Sequence, residues 1–506
     1  MPRFINYLQI LILLIFVSGC SVIPVPLSQD ELSGQASKDR IAVTNNQEPV
    51  TEAISIHESM ARALKYNLDF HVELSQKILA QVDLDLSRYE LLPQLVTDIG
   101  FNSRNNFSGA SSRSLLTGVQ SLQSSTSSDR DVFTANLNLS WNVLDFGLSY
   151  VRSQQAADKI LVAEEEKRKV VNRIVQDVRT AYWRAVSSER LINKLEQLLV
   201  RVNRAIEESK QIEAQRLDRP LTALTYQREL IGIKRELEEL QRDLSFAKIQ
   251  LAALMNLRPG EDFQIVIPER TSNSRNVDIS PVMLEQLALE NRPELRTVAY
   301  QQRINKNETK AAILGLLPGI EVNFGPSYSS NSFLFHNNWL AYGAQIGWNL
   351  LNVFKLPATQ RKVEATDKLF EAQRLAISMA VMTQVHVSLA RYMHSRKEYQ
   401  TAADYYYTQE KILEQLESGV ATSAVTEQAL IREEMNMLLA EVKFDIAYSD
   451  MESAYASIFA ALGIDPLSGD IEAEDIRSLS ASIQRSFDAM SMHDQLYSMK
   501  INMKEE

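Results

Sequence analysis

An internal duplication constrains this chain more than any other feature. With residue n laid over n+225, Ile54-Ser55 falls on Ile279-Ser280, Ala63-Leu64 on Ala288-Leu289, Leu91-Leu92-Pro93 on Leu316-Leu317-Pro318, and Gly100 on Gly325. The offset then drops to 207, where Trp141-Asn142-Val143-Leu144 overlies Trp348-Asn349-Leu350-Leu351, and to 208, where Ala252-Ala253-Leu254 overlies Ala460-Ala461-Leu462. Whatever one half folds into, the other must fold into as well. The residues lost from the second copy lie between Pro93 and Trp141, where the first carries the serines of Ser111 to Ser128, a composition that reads as a long polar loop.

Each copy reads as helix, strand, loop, strand, very long helix, break, long helix. The 506 residues hold only 16 Gly and 14 Pro, and none interrupts 148–215 or, until a break near Gly419, 358–418. A helix of about 65 residues is roughly 100 Å long, far more than a globular core needs. Along the first, Val171, Ile174, Val178, Ala181, Ala185, Ser188, Ile192, Leu195, Leu199, Val202 and Ile206 alternate three and four apart, the seam of a coiled coil. A looser stripe runs through Leu375, Met379, Met382, His386, Leu389 and Met393, which places His386 half-buried in a seam. Pro and Gly turn the helices back at Leu217-Asp218-Arg219-Pro220 and around Gly419, so each copy supplies a helical hairpin.

The strands carry the functional information. Phe133, Ala135, Leu137, Leu139, Trp141 and Val143 alternate with Thr134, Asn136, Asn138, Ser140 and Asn142, a period of two over the length a tilted strand needs to cross a bilayer. Tyr342, Ala344, Ile346, Trp348 and Leu350 alternate with small or polar residues in the second copy. Leu95, Thr97, Ile99, Phe101 and Ile320, Val322, Phe324 are the weaker partners. One apolar and one uncharged polar face suits a wall between lipid and water; a soluble sheet with one face on a core alternates in the same way. Four strands cannot close a barrel. Two chains would give eight strands, filled by side chains, whereas three give twelve and leave an opening, so a trimer is expected.

Arg3, the apolar run from Leu8 to Val17, and Val17-Ser18-Gly19-Cys20 read as a secretory signal too short to span a membrane. The last four residues resemble a bacterial lipobox, which implies lipid attachment at Cys20, the only cysteine; a plain signal peptide with an incidental Cys is the alternative. Ser21 after it implies outer-membrane sorting. No later stretch is apolar enough for a helical span, so any membrane crossing must use strands.

Tandem strand pairs and long helical hairpins behind a lipobox resemble the TolC-like outer-membrane efflux proteins, the outer membrane factors, over nearly the whole mature chain. The most specific local marks are Leu-Leu-Pro before each first strand and Trp-Asn-Val-Leu-Asp-Phe-Gly at 141 to 147; the second copy departs there, with Asn352-Val353-Phe354. The resemblance implies a mixed, mainly α fold. Coiled-coil hairpins form an α-barrel, and four strands per chain join a trimeric twelve-stranded transmembrane β-barrel, with an equatorial belt between them. The expected segments are a signal peptide at 1–19, a lipidated linker at 20–53, the first repeat at 54–267, an equatorial linker at 268–278, the second repeat at 279–466 and a C-terminal equatorial or tail segment at 467–506. It also implies a homotrimer in contact with outer-membrane lipid. A periplasmic adaptor and an inner-membrane transporter would meet it at the hairpin tips, Leu217, Asp218, Arg219, Pro220, Gly419, Val420, Ala421 and Thr422.

No chemistry of its own is visible, so no enzyme activity, cofactor or metal is expected. Six scattered His never form a metal spacing, and neither a phosphate-binding loop nor a nucleophile elbow is present. The net charge of -11 argues against nucleic acid, whose phosphates need a basic excess. The function to expect is passive export through a gated duct, as the outer-membrane part of a tripartite efflux or type I secretion system. A lipid-anchored periplasmic coiled-coil scaffold without a pore is the alternative. Members of this family commonly close the tip with acidic residues in the helix after the second turn. Here 419–429 holds only Glu427, so Glu414, Glu417 and Glu427 are the candidate gate. As rings of three like charges they repel unless a base such as Arg219 or Arg432 pairs with them.

Overall fold

The computed structural model describes residues 24–45, 47–121, 123–215, 220–258, 260–269, 280–421, 427–464 and 475–489. A short helix α1 (Gln29–Ala42) leads into two copies of one element order. The first comprises α2 (Ile56–Tyr66), α3 (Leu68–Tyr89), β1 (Gln94–Ser103), β2 (Asp131–Asn142), α4 (Val143–Ala214) and α5 (Pro220–Leu254). The second comprises α6 (Pro281–Asn291), α7 (Pro293–Leu314), β3 (Gly319–Ser329), β4 (Asn338–Gly347), α8 (Leu356–Ala421) and α9 (Glu427–Leu462), followed by α10 (Ile476–Ala489).

Where one helix was expected before each strand pair, the structure has two, because a single residue turns the chain. Asn67 leaves α2 in an extended conformation and caps α3, its side chain accepting from the amides of Asp69 and Phe70, which satisfies orphan donors of the new helix. In the second copy Arg292 is the extended residue and Pro293 opens α7, a position where the missing proline N–H costs nothing. Both junctions then reach the last helix of their own copy: Asn67 donates to the Leu254 carbonyl at 3.5 Å and Arg292 to that of Ala460 at 2.9 Å. Each copy closes on itself there.

One hydrophobic cluster lies at the middle of α4. It joins Met60, Leu64 and Phe70 with Val171 to Val186, Leu251 and Met255, Leu284 and Leu287, Val385 and Tyr392, Ile458 and Leu462, and Ile476, Leu479 and Ile483. A second follows α4 downward, Leu191 to Ile206 against Leu230, Leu237 and Leu244 of α5 and Met435, Leu438 and Val442 of α9. Every position of the α4 seam is buried except Ile192, which is partly buried and packs on the second cluster. The stripe expected on α8 is wrong in phase. Val381, Val385, Ser388, Tyr392, Ser395 and Tyr399 face inward, while Leu375 and Met379 are exposed. His386 is accordingly exposed rather than seamed, 2.5 Å from Glu285. The physical reason is aromatic: Tyr399 and Tyr406 stack on Phe444 of α9, and Tyr392 packs on Tyr455, contacts that outweigh those of the aliphatic stripe.

Salt bridges bind the two hairpins side by side. Arg179, Arg190, Lys194 and Arg201 of α4 meet Glu452, Asp445, Glu441 and Glu434 of the antiparallel α9 in turn. The Arg190–Asp445 pair, at 2.7 Å, and the looser Arg179–Glu452 pair, at 4.0 Å, are the buried rungs, and Arg190 also donates to the Pro268 carbonyl. The more exposed rungs fix register more than they stabilise.

Candidate functional site

The four strands form one antiparallel sheet in the order β1-β2-β3-β4, leaving β1 and β4 as edges. Their registers superpose the alternations. On one face Leu95 lies opposite Leu139, Ile99 opposite Ala135, Phe101 opposite Phe133, Leu139 opposite Phe324, Trp141 opposite Val322, Phe324 opposite Tyr342 and Ile320 opposite Ile346. On the other, Asp98 faces Asn136, Asn136 faces Ser327, Ser140 faces Asn323 and Glu321 faces Gln345. The apolar face covers no core: Ile99 is 70%, Tyr342 84% and Ile346 72% exposed. A soluble sheet would bury these side chains. Phe101, Phe133 and Tyr328 mark the outer end of this face, with Phe133 and Tyr328 rings 6.4 Å apart; Trp141 and Trp348 mark the inner end. Phe133 to Trp141 spans about 27 Å of strand, which at a barrel tilt of about 40° gives about 20 Å of height, comparable to a lipid-facing band.

Three devices hold the sheet together. The Glu321 carboxylate accepts from Ser140 on β2 and from Gln345 on β4, both at 2.8 Å, so one side chain ties three strands. Gly325 allows β2 to come close: a Cβ there would lie 2.8 Å from the Leu137 carbonyl carbon and closer still to its oxygen. Trp348 donates from Nε1 to the Leu316 carbonyl at 3.0 Å, which joins the exit of β4 to the Leu-Leu-Pro entry of β3 and gives that motif a structural role.

The strand-to-helix junctions differ between the copies. Asn142 ends β2 and is also the cap of α4, accepting from the amides of Leu144 at 3.0 Å and Asp145 at 3.4 Å. In the second copy Asn349 caps only a 3-10 turn, Leu350–Lys355, before α8 begins. The departure of Asn352-Val353-Phe354 from Asp-Phe-Gly thus changes the local geometry and keeps the order of elements.

At the far end, α4 and α5 form one hairpin and α8 and α9 the other. Leu217, Asp218, Arg219 and Thr422 lie outside the described residues, as does Cys20. Pro220 opens α5; Gly419, Val420 and Ala421 end α8; Glu427 opens α9. Glu414 and Glu417 are exposed on the last turns of α8. Arg432, a partner considered for them, sits 3.5 Å from Glu433 instead. Burial opposes the charge on Glu433, but hydrogen bonds from Asn436 and Gln409 and the nearby Arg432 outweigh it and hold its carboxyl below the usual range. The patterning of the sequence missed this polar lock, because Gln409 and Glu433 meet only when the hairpin closes. Beside it, Ile412, Gln415, Leu416, Ala429 and Arg432 line an open groove of about 720 Å³. Among the described residues no helix is long and apolar enough to cross a membrane.

Solved structures share this arrangement. The outer-membrane channel OprN superposes with a TM-score of 0.62 at 14% identity, over 84% of this chain and 95% of its own. The Campylobacter jejuni outer membrane channel CmeC gives 0.62 at 13% identity, over 92% and 99%. The fold is that of the TolC-like outer-membrane channels. The Vibrio cholerae outer membrane protein VceC agrees, with a TM-score of 0.60 at 15% identity over 81% of this chain and 96% of that one. No protein-family model and no curated protein matches the sequence. At such identities the TolC-like fold rests on the path of the chain and not on shared residues.

Proposed function

We propose that this chain is one protomer of a homotrimeric efflux duct in the outer membrane. The observation that carries the reading is the sheet: a membrane-height apolar face left open, an in-register polar face, and two unpaired edge strands. Edges in lipid leave backbone groups unsatisfied, and pairing β4 of one chain with β1 of the next in a closed ring satisfies them all. Three chains give twelve strands and an open lumen lined by the polar face. Below it, helices of 72 and 66 residues from three chains form an α-barrel through the periplasm. A lipid-anchored scaffold would have no use for the sheet. Native mass spectrometry of the detergent-solubilised protein tests this directly: three chains are expected, and a particle of one or two would refute the reading.

The finer parts of the proposal rest on the sequence. Lipid on Cys20 holds the N-terminus of the mature chain at the membrane, with the 20–53 linker reaching the equator. The repeats run over 54–267 and 279–466, with equatorial connections at 268–278 and 467–506. The hairpin tips, Leu217 to Pro220 and Gly419 to Thr422, meet a periplasmic adaptor, with the groove at Ile412 and Leu416 beside them, and an inner-membrane transporter supplies the energy. Glu414, Glu417 and Glu427, brought into rings by the threefold axis, close the tip.

A further inference from the structure

The long polar loop joining β1 to β2 has a backbone order that its serines alone do not reveal. Ala110 and Ser125 exchange both backbone hydrogen bonds, Ser121 donates to Ser112 and Ser114 to Val119, so an ordered hairpin arm stands beyond the sheet. Its turn places Leu115 and Leu116 at the tip, 102% and 98% exposed, with Val119 beside them at 66%. Tip positions favour Gly, Asn, Asp or Ser, whose backbone and side chains suit both the turn and water; Gly118 supplies the one positive φ, +69°. Two adjacent leucines on a fixed turn are therefore an unusual apolar point. Arg113 folds back on this turn, its Nε donating to the Gly118 carbonyl at 2.6 Å, which holds a guanidinium just behind the leucines. In a chain of net charge -11, the stretch from Arg104 to Ser128 carries two arginines and no Asp or Glu.

We propose that this arm is a peripheral membrane contact: Leu115 and Leu116 enter the outer leaflet beside the barrel, and Arg113 meets the anionic phosphates of its headgroups. The chemistry is that of an interfacial segment, apolar at its point and cationic behind it. Continuity with the open apolar face of the sheet, where Ile99, Tyr342 and Ile346 are exposed, favours a lipid surface over a second copy of this chain. Twelve residues from the end of β1 to Leu115, at about 3.3 Å each, are ample to reach the lipid around the barrel. The proposal rests on the reading of the sheet as a membrane wall.

The test uses the full-length trimer in phosphatidylcholine vesicles, with or without phosphatidylglycerol, and a polarity-sensitive NBD label on Leu116→Cys, quenched by acyl-chain nitroxide lipids. Labels on Leu139→Cys, in the wall, and Ser124→Cys, on the body of the arm, are the references. The expected result is a blue-shifted Leu116 label quenched as fully as that at Leu139, while Ser124 stays aqueous; phosphatidylglycerol should strengthen the quenching, and Arg113→Gln should remove that increment. A quenched Leu139 label with an aqueous Leu116 label overturns the arm's role and leaves the wall intact. Neither label quenched overturns the wall as well. A Leu116 label that is blue-shifted but blind to lipid quenchers points to contact with another copy and refutes the lipid contact.

Discussion

Gly100 and Gly325 occupy equivalent places in the duplication, yet the same substitution should have different consequences at each. A methyl group on Gly325 would overlap the Leu137 carbonyl, 2.8 Å from its carbon and 3.2 Å from the Asn138 Cα. Backbone cannot rotate away, so β2 and β3 must part. The flanking pairs Asn136–Ser327 and Leu139–Phe324 lose geometry, at about 1 kcal/mol per hydrogen bond, and overpacking adds about 1–3 kcal/mol. Pro326, the next residue, has no N–H with which to compensate. Gly325→Ala should therefore cost about 3–5 kcal/mol, more in lipid, where freed groups find no water. At Gly100 the new methyl would meet only the Thr134 Oγ1, at 3.0 Å, a hydroxyl that turns to another staggered position, so Gly100→Ala should cost about 1 kcal/mol or less. Thermal melts of the purified trimer and its resistance to SDS before and after heating read both. Gly325→Ala melting with the wild type, or Gly100→Ala proving the worse, would refute the close-approach argument.

Three further outcomes are expected. Mass spectrometry of the membrane fraction should find a mature chain starting at a lipid-modified Cys20, and Cys20→Ser should slow maturation while the barrel still inserts, because one anchor adds little to twelve strands; an unmodified Cys20 would contradict this. Joint replacement of Glu414, Glu417 and Glu427 by Gln should alter cation preference or closed-state leak in planar bilayers, whereas unchanged conductance and selectivity would place the gate elsewhere. Acid should loosen α10. Burial opposes the charge on Glu48, but the Lys65 ammonium and the Ile476 N–H outweigh it and hold its carboxyl below the ordinary 4.5. A lowered folded value contributes stability above pH 4.5 that is lost as pH falls through it. Hydrogen exchange over 476–489, corrected for intrinsic rates, should accelerate in acid relative to 56–66, and Glu48→Gln should abolish that dependence; an equal response in both proteins would exclude Glu48 as the cause.

The sequence revealed most where one period dominates. β2 and the α4 seam were legible because burial on one face leaves a mark every second residue, or every three to four. The α8 stripe was misread because Ser388, Tyr392, Ser395 and Tyr399 share its inner face with Val381 and Val385 while Leu375, Met379 and Met393 stay outside, against the usual partition. The turns at Asn67 and Arg292 were missed because each is a single residue within an otherwise helical pattern. The rungs between α4 and α9 join side chains as far apart as Arg190 and Asp445, 255 positions along the chain, a pairing that no local pattern records. Of the candidate site, both faces of the wall were legible; the Glu321 tie and the Gly325 approach depend on register, which only the folded sheet fixes.

The junction at Asn142 has a mechanical consequence. Since the last residue of β2 is also the cap of α4, no compliant linker separates the sheet from a shaft of about twenty helical turns. Torsion applied to α4 near the tip is delivered to β2, softened only by the elasticity of the helix itself. Its counterpart passes through the 3-10 turn Leu350–Lys355, a tighter coil with weaker hydrogen bonds, which acts as a flexible coupling between α8 and β4. Each chain thus has one rigidly mounted shaft and one sprung shaft, so movement at the hairpin tips can be absorbed at the second without straining the sheet.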